Sequence, residues 1–338
     1  MDSRDSVIAA FLARAGWGEA ERGVLAGDAS FRHYDRLTRG GDRAVLMDAP
    51  PPMEDVRPFV RIGRLLRRLG FSAPRILAEH VDAGLLLLED LGDDTYTRVL
   101  ASGGNEQVLY GRALDVLIRL HRRAAECDPA VEELRPYDDA ALLDEATLLT
   151  DWYMPAVLGR DTPAATRADY CRLWTELRRT VTGIPDSLVL RDYHVDNLMW
   201  LPDRPDVEAC GLLDFQDARW GPVTYDLVSL FEDARRDVPA ALTRRLLDRY
   251  LAAFPALDPK AFAASYALWG AQRSAKILGI FTRLDRRDGK PAYLEHIPRV
   301  WRWLEGDLGH PVLAPLRAWF DRELPVEKRI VPEAKGTP

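Results

Sequence analysis

The sequence predicts an α+β protein with two lobes, a small β-rich N-terminal lobe and a larger, mainly helical C-terminal lobe. Two observations lead to this prediction. Short apolar runs separated by turn residues cluster before residue 90, whereas apolar residues recur at helical spacing from residue 94 onwards. The chain has 338 residues, enough for two hydrophobic cores. We therefore predict lobes at residues 1–90 and 91–330, followed by a disordered tail at 331–338.

The N-terminal lobe is predicted to be a sheet with two helices. An amphipathic helix is expected over residues 5–15. The run Pro50–Pro52 ends a strand, because proline has no N–H to continue a β-ladder. The other predicted elements are, in chain order, two strands joined by a turn of small residues in 24–37, a strand over 43–48, a helix over 53–69, and strands over 75–79 and 84–88.

The C-terminal lobe is predicted to combine long helices with a few short strands. Strands over 188–190 and 198–201 flank a polar segment and would place it on a hairpin-like loop. A further strand over 208–213 would deliver Asp214 to the same end. The predicted helices lie over 107–125, 138–153, 227–231, 240–254 and 261–279.

Composition and charge argue against several classes of protein. The net charge is −7 and the pI is about 5.5, which disfavours a nucleic-acid partner. The longest aliphatic run, Leu85–Leu88, is far too short to span a bilayer, and the acidic N-terminus is unlike a signal peptide. Cys127, Cys171 and Cys210 lie far apart, which favours reduced thiols. We expect a cytoplasmic monomer that binds no membrane.

The stretch from Leu188 to Asp214 carries the clearest chemical signal. Asp192 is followed five residues later by Asn197, and Asp214 ends a short apolar run. This is the order and spacing of the catalytic loop and metal-binding aspartate of protein kinases. Phosphoryl transfer from ATP needs a carboxylate that orients and deprotonates the acceptor hydroxyl, the role predicted for Asp192. It also needs oxygen ligands for Mg²⁺, predicted to be Asn197 and Asp214. The motif therefore predicts a bilobal protein-kinase-like fold.

The predicted nucleotide site lies in the N-terminal lobe. The third strand departs from the kinase pattern, since Met47 stands where a lysine usually contacts the phosphates. Arg32, on the small-residue turn, is our first choice for the missing charge, with Arg36 and Arg43 as alternatives. A solvated surface arginine is an equally good interpretation of Arg32. The predicted cofactor-binding residues are Ser30, Phe31, Arg32, Met47 and, through their backbone against the adenine edge, Glu89 and Leu91.

The helix predicted over 138–153 combines carboxylates with aromatic side chains. Such residues suit a sugar, because they accept hydrogen bonds from hydroxyls and stack on its C–H faces. From this helix we take Glu145 and Tyr153 as candidate substrate ligands. A core helix with a solvated acidic face is the alternative. His121 lies on the apolar stripe of the preceding helix, so we expect a core histidine there rather than a catalytic one.

Six strings extend the signal beyond this motif, and together they resemble a known family. They are GDASFRHYDRL, VLMDAPP, LLLLEDLGDDTY, DWYMP, LRDYHVDNLMWL and GLLDFQDARWGPVTYDLVSL. They are similar to the aminoglycoside phosphotransferase family of small-molecule kinases, and within it to the bacterial N-acetylmuramate/N-acetylglucosamine anomeric sugar kinases of cell-wall recycling. The resemblance implies that Asp226 braces the catalytic loop. The family motif has a histidine two residues before the catalytic aspartate; Leu190 stands there, so that part of the bracing must come from elsewhere.

The resemblance also implies a reaction, the transfer of the ATP γ-phosphoryl group to the 1-OH of N-acetylmuramate or N-acetylglucosamine to give the α-1-phosphate. It places His194, Gln216, Arg219 and Trp220 at the acceptor pocket. Arg219 would pair there with the lactyl carboxylate of N-acetylmuramate, or else lie at the surface. Two alternatives stay open: a kinase of the same fold acting on an aminoglycoside, choline or homoserine, and a nucleotide-binding pseudokinase, which the methionine at position 47 suggests.

Overall fold

The computed structural model describes residues 3–27 and 32–335, which form two compact units. Unit 1 contains the chain up to residue 116 together with residues 195–218. Unit 2 contains residues 117–194 together with the chain from residue 219 onwards. The lobe boundaries predicted from the sequence, 1–90 and 91–330, stay a prediction.

The predicted helices and strands occur in the predicted order, and the structure contains further elements that the sequence analysis did not predict. The strands are β1 (Glu21–Gly27), β2 (His33–Arg39), β3 (Asp42–Asp48), β4 (Ile76–His80), β5 (Leu85–Glu89), β6 (Asp186–Val189), β7 (Leu198–Trp200), β8 (Cys210–Leu212) and β9 (Arg219–Pro222). The helices are α1 (Arg4–Arg14), α2 (Arg57–Arg68), α3 (Tyr96–Ala101), α4 (Glu106–Arg122), α5 (Asp139–Ala146), α6 (Met154–Leu158), α7 (Ala164–Thr180), α8 (Thr224–Phe231), α9 (Ala240–Ala253), α10 (Pro259–Asp288), α11 (Ile297–Leu308) and α12 (Ala314–Glu323).

Unit 1 is built on an antiparallel sheet with the strand order β1-β2-β3-β5-β4. The tight connection between β2 and β3 uses Gly40 and Gly41, both at positive φ, a region that glycine reaches without a Cβ clash. One face of the sheet packs on α1 through a core that includes Leu37, Ala44 and Leu46. Because side chains alternate along a strand, Val45 and Met47 of β3 lie on the opposite face.

The second segment of unit 1 is a hairpin that positions two polar residues of the motif. β7 and β8 pair antiparallel from Leu198–Leu212 to Trp200–Cys210. The backbone N–H of Leu213 donates to the carbonyl of Asn197, 3.0 Å away. Asn197 therefore precedes β7, and Asp214 follows β8, at the same end of the hairpin, as the sequence predicted.

Unit 2 is helical and packs around the thirty-residue helix α10. Gly279 of α10 lies against the chain after α5, where an added Cβ would come within 2.3 Å of the backbone carbonyl of Leu148. A π-helical turn, Leu149–Tyr153, follows directly and joins α5 to α6. Strand β6 pairs with β9, so that Val189 lies opposite Arg219 immediately before the catalytic loop.

Two sequence-based expectations are wrong in detail. The strands that flank the catalytic loop do not form a hairpin, because β6 pairs with β9 and β7 with β8. The start of the C-terminal tail is held rather than disordered. The backbone N–H of Lys335 donates to Asp285, and Arg286 donates to the carbonyl of Glu333 at 2.7 Å.

Other expectations are confirmed within the described residues. The three cysteines are free thiols. The α+β class and the main predicted elements are present, with the helix predicted over 138–153 interrupted by the π-helical turn. In the described part of the chain, no helix combines the length and the apolar composition needed to cross a bilayer.

Candidate active site

Unit 1 contains a cavity of about 480 Å³ beside the face of β3 that carries Val45. Ligand pockets of this size are common for small molecules and nucleotides. Its walls are mostly apolar, and its polar groups come from two short segments, one after β5 and one around the β7–β8 hairpin. The lining residues are Leu25, Tyr34, Val45, Phe59, Pro74, Leu88, Glu89, Asp90, Leu91, Gly92, Asp196, Asn197, Met199, Leu213 and Asp214.

The segment of residues 89–92 forms one edge of this cavity, and ion pairs hold it in place. Arg36 contacts the buried carboxylate of Asp90, with Nε 2.7 Å from Oδ2, and also donates to the carbonyl of Gly92 at 3.2 Å. The Glu89 carboxylate pairs with Arg204 at 2.9 Å. In the described residues the backbone N–H and C=O of Leu91 make no hydrogen bond, so they are available to a ligand.

Arg32 is the cation that the structure places beside the motif residues of unit 1. Its Nη2 lies 3.8 Å from Oδ1 of Asp214, and its Nε lies 3.7 Å from Oε2 of Glu54. The side chain is only 12 % exposed, so it is not a solvated surface arginine. Met47 is buried in β3 between Tyr34 and Leu86 of the neighbouring strands.

Other predicted phosphate contacts are placed differently. Arg36 braces the 89–92 segment, as described above, and Arg43 pairs with Thr38 at an exposed end of β3. Ser30 and Phe31 lie outside the described residues. Of the three candidate arginines, only Arg32 thus lies beside a carboxylate of the kinase-like motif, that of Asp214.

The side chains of Asn197 and Asp214 meet at the open end of the hairpin. Nδ2 of Asn197 lies 3.4 Å from Oδ2 of Asp214, and Nε2 of Gln216 donates to Oδ1 of Asp214 at 2.7 Å. Asp214 has φ +55°, a left-handed conformation that is uncommon outside glycine. In this conformation its carboxylate lies beside the side-chain amides of Asn197 and Gln216. Gln216, predicted as a substrate ligand, thus orients this carboxylate.

These two residues fit a Mg²⁺ site that is completed by a nucleotide. An amide and a carboxylate are the hard oxygen donors that Mg²⁺ prefers, and Mg²⁺ is usually held by one or two protein groups plus phosphate oxygens and water. The described residues contain no cluster of three or more His, Cys, Asp or Glu side chains that could hold a metal alone. The donor set therefore suits a metal that arrives with phosphate.

The loop predicted to be catalytic is held in unit 2 by Asp226 of α8. Its carboxylate accepts hydrogen bonds from the backbone N–H of Leu190 at 2.7 Å and of Arg191 at 2.9 Å. Arg191 has φ +71°, so the loop turns sharply just before Asp192. Burial raises the pKa of Asp226 to about 7, against the effect of the two N–H donors. The bracing role that the resemblance implied for Asp226 matches these contacts.

The Arg191 side chain is anchored in a buried ionic cluster centred on Glu145. The Glu145 carboxylate binds the Arg191 guanidinium and the Tyr137 hydroxyl. It also accepts from Lys276 Nζ at 3.0 Å and from Gln272 Nε2 at 3.1 Å. This cluster fixes Arg191 beside Asp192, and so takes up part of the bracing that a histidine would provide at position 190.

Electrostatics favour the ionised form of Asp192. Burial alone would raise its pKa, but the charges of Lys276, His194 and Arg191 outweigh burial, and its pKa is lowered. His194 is 6 % exposed, and burial lowers its pKa. The loop therefore holds the ionised carboxylate of Asp192 near the buried imidazole of His194.

The remaining predicted acceptor residues lie in unit 2 with other partners. Tyr153 is fully buried; its hydroxyl accepts from Trp301 Nε1 at 2.8 Å and donates to the carbonyl of Ile330 at 2.7 Å. Arg219 donates to the carbonyl of Pro136 at 3.2 Å, and Trp220 is half-buried in β9. We leave Tyr153 out of the acceptor site, because both hydrogen-bonding roles of its hydroxyl are filled.

His121 is a histidine of the hydrophobic core, as the sequence predicted. Its side chain is buried, Nδ1 lies 2.7 Å from the Tyr250 hydroxyl, and burial lowers its pKa to about 3.

The sequence reasoning missed the polar residues of α10 that serve the loop. Gln272 and Lys276 lie one turn apart and are fully or almost fully buried. Their signal was present in the sequence, since both interrupt the otherwise apolar stretch LWGAQRSAKILGIF at helical spacing. Buried polar residues in such a stretch usually have a partner, here Glu145.

Comparisons with known proteins agree with this site. A family model described as phosphotransferase enzyme family matches residues 22–261. The chain is 40 % identical to a protein of Caulobacter vibrioides named N-acetylmuramate/N-acetylglucosamine kinase, over 96 % of this chain and 98 % of that one. It is 42 % identical to a protein of the same name from Pseudomonas aeruginosa, over 92 % of each.

A solved structure shows the same fold. It is the GDP complex of aminoglycoside 2'-phosphotransferase-IIIa, matched with a TM-score of 0.60 at 13 % identity over 90 % of this chain and 98 % of that one. The predicted protein-kinase-like fold is thereby confirmed.

Proposed function

This chain belongs to the phosphotransferase enzyme family, and from that membership we propose that it is an ATP-dependent sugar kinase. It transfers the γ-phosphoryl group to the 1-OH of N-acetylmuramate and N-acetylglucosamine and gives the α-1-phosphate. The observation that carries the proposal is similarity over nearly the whole chain to relatives named for these two sugars, together with the intact motif Asp192, Asn197 and Asp214. The proposal includes a role in the recycling of cell-wall sugars by a cytoplasmic monomer.

The nucleotide is proposed to bind in the cavity of unit 1. The adenine edge pairs with the backbone of the 89–92 segment, where Leu91 has an available N–H and C=O. The ring lies between apolar side chains of the two walls, Val45 on one side and Met199 and Leu213 on the other. The side chain of Glu89 contributes nothing to this contact, because it is turned towards Arg204.

Arg32 is proposed to bind the phosphates in place of the third-strand lysine. A guanidinium presents a fork of donors that matches phosphate oxygens. Arg32 already lies within 4 Å of Asp214 and Glu54, so a nearby carboxylate orients it as the helix glutamate orients the lysine of protein kinases. Ser30 and Phe31, which precede Arg32 in the sequence, stay predicted cofactor-binding residues.

Asn197 and Asp214 are proposed to hold Mg²⁺ with the nucleotide. The metal neutralises charge on the β- and γ-phosphates when it is bound. Gln216 keeps the Asp214 carboxylate oriented through its 2.7 Å hydrogen bond. The left-handed backbone conformation of Asp214, with φ +55°, also orients this carboxylate.

Asp192 is proposed to act as the base of the reaction. It accepts the hydrogen bond of the sugar 1-OH, orients this oxygen for in-line attack and takes its proton as the bond to the γ-phosphorus forms and the bond from that phosphorus to the bridging oxygen breaks, which releases ADP. The positive charges of Lys276 and Arg191 keep Asp192 ionised at neutral pH. His194 and Trp220 are proposed to contact the sugar, while Glu145 holds the loop from behind.

The experiment that tests the function measures ADP release by purified protein with Mg²⁺-ATP and a panel of acceptors. The panel holds N-acetylmuramate, N-acetylglucosamine, choline, homoserine and kanamycin. We expect turnover with the two N-acetyl sugars and a sugar 1-phosphate in the ³¹P NMR spectrum. Turnover with another acceptor alone would refute the sugar assignment but not the phosphotransfer. ATP binding without turnover on any acceptor would favour a pseudokinase, and Asp192→Asn protein serves as the inactive control.

A further inference from the structure

Arg273 of α10 is a buried cation that no described residue neutralises by contact. Its side chain lies deep in unit 2, and the residue is 5 % exposed. Among the residues that the structure describes, it makes no hydrogen bond and has no carboxylate at ion-pair distance. A guanidinium removed from water without a bonded partner is destabilising, because it loses hydration and gains no hydrogen bond in return. Such a group points to an anionic ligand.

The polar neighbours of Arg273 on the same helix, Gln272 and Lys276, do have bonded partners, so Arg273 differs from them in this respect. Gln272 precedes it and Lys276 lies one turn later, and both are bound to the Glu145 carboxylate at 3.1 and 3.0 Å. The helix therefore presents four buried polar side chains in residues 272–276, the fourth being the short side chain of Ser274. Two of them serve the catalytic-loop brace, and Arg273 is left without such a contact.

The electrostatic surroundings place Arg273 on the acceptor side of the chemistry. Its charge contributes to lowering the pKa of both Asp192 and His194, so it lies near the proposed base and the proposed sugar contact. Three carboxyl groups, those of Asp192, Asp226 and Glu232, interact with the charge of Arg273 through space, but none of them is at hydrogen-bonding or ion-pair distance from it. Burial raises the pKa of Asp226 and of Glu232 to about 7, which leaves each only partly charged at neutral pH.

We propose that Arg273 binds the carboxylate of the acceptor and thereby favours N-acetylmuramate, which carries a lactyl carboxylate, over the uncharged N-acetylglucosamine. The inference rests on the proposed function and names a specificity residue for it. A guanidinium binds a carboxylate through two parallel hydrogen bonds, which fixes the direction of the sugar as well as its charge. Arg219, the candidate from the sequence, is less suited, since it is half-buried and already bonded to the carbonyl of Pro136.

The test compares initial rates of wild-type and Arg273→Gln protein with the two sugars at saturating Mg²⁺-ATP. We expect the KM for N-acetylmuramate to rise about 10–100-fold in the variant, while kcat/KM for N-acetylglucosamine changes by less than about threefold. Arg273→Lys keeps the positive charge but loses the two parallel N–H donors of the guanidinium. Its KM for N-acetylmuramate should therefore lie between those of wild type and Arg273→Gln protein. Arg287→Gln is the matched control, because Arg287 is an exposed arginine at the end of the same helix, and its kinetics should equal those of wild type.

A second arm varies the substrate instead of the protein, in case Arg273→Gln does not fold. The methyl ester of N-acetylmuramate keeps the size of the sugar but removes its charge. Wild-type protein should show a KM for the ester about 10–100-fold above that for the acid, and a folded Arg273→Gln protein should show no such difference.

Several outcomes would overturn the inference. An equal loss of kcat with both sugars would assign Arg273 to the transferred phosphoryl group or to the loop. Unchanged kinetics in the variant, or equal KM values of wild type for acid and ester, would remove it from carboxylate binding. Each of these leaves the proposed function standing. Absence of wild-type turnover on both sugars would instead overturn the proposed function, and this inference with it.

Discussion

Replacement of Glu145 by glutamine tests whether this carboxylate braces the catalytic loop or contacts the sugar. Glutamine keeps the shape of the side chain and removes its charge. Lys276 and Arg191 would then remain as buried cations without their shared counter-ion. If Glu145 braces the catalytic loop, the Glu145→Gln variant should lose stability and kcat. If Glu145 contacts the sugar, the variant should have a raised KM for the sugar and normal stability. The two roles therefore differ in what the experiment measures.

The magnitude follows from the geometry of the ion pairs. Two unit charges 3.0 Å apart, as in the pair of Lys276 Nζ and Glu145 Oε1, attract by about 5 kcal/mol at an effective dielectric constant of about 20. Removing one partner of a buried pair usually destabilises a protein by about 3–5 kcal/mol. For a unit of this size that corresponds to a Tm lowered by roughly 6–20 °C. Loosening Arg191 beside Asp192 should lower kcat by about 10–100-fold.

The assay combines thermal unfolding with steady-state kinetics on the same preparation. Lys276→Met combined with Glu145→Gln removes both charges, and this double variant should recover part of the lost Tm. Arg172→Gln removes an exposed helical pair with Glu176 and should change neither quantity. A normal Tm and kcat with a raised sugar KM in Glu145→Gln protein would refute the brace and restore Glu145 as a substrate ligand.

The pH dependence of stability gives an independent measure of the same cluster. Burial alone would raise the pKa of Glu145, but Lys276 and Arg191 lower it from 4.5 to about 2. Because the folded-state pKa lies below the unfolded one, the contribution of Glu145 is complete above the unfolded pKa and is lost as the pH falls towards the folded one. The free energy of unfolding of wild type should therefore fall more steeply than that of Glu145→Gln protein on acidification below about pH 5. Parallel curves would contradict the assignment.

Three further substitutions have expected outcomes. Asp192→Asn should lower kcat by about 10²–10⁴-fold with ATP affinity nearly unchanged in calorimetry, because it removes the base and not the phosphate site; near-normal turnover would refute the base. Asp214→Ala should weaken Mg²⁺-dependent nucleotide binding as well as turnover, and equal ATP affinity with and without Mg²⁺ in wild type would contradict it. Gly279→Ala should lower the free energy of unfolding by about 3 kcal/mol or more in urea, because its Cβ would lie 2.3 Å from the carbonyl of Leu148. The control Gly306→Ala meets nothing within 4 Å and should be neutral or stabilising.

Much of the fold could be predicted because local pattern and global packing agree. The short apolar runs of β3 and β5, the helical stripe of α2 and the turn glycines each specify one structure. The positions of Asn197 and Asp214 at one end of a hairpin could be predicted for the same reason, since both flank short apolar runs. The pairing of β6 with β9 could not, because a short strand with two buried faces carries no register signal.

The roles of individual charged residues were harder to predict. Glu145 was chosen as a sugar ligand because it stands beside aromatic residues in sequence, yet its partners Arg191 and Lys276 lie 46 and 131 residues away along the chain. Hydrogen-bond partners at such separations are set by tertiary packing, which periodicity does not encode. For the same reason the sequence fits Arg32 equally well as a phosphate ligand and as a surface arginine, because its contact with Asp214 joins two distant segments of unit 1.

The two departures from the kinase motif are each accompanied by a charge pair from outside the motif. Where the third strand has Met47, Arg32 lies between Glu54 and Asp214. Where the catalytic loop has Leu190, Arg191 turns back to Glu145, while Asp226 holds the loop backbone. In both places an arginine at another position of the sequence, Arg32 or Arg191, forms an ion pair with a carboxylate from a separate segment. Both pairs stabilise the fold, since an unpaired buried member would be destabilising. They show how this chain accommodates Met47 and Leu190, and the intact residues Asp192, Asn197 and Asp214 argue for an active phosphotransferase.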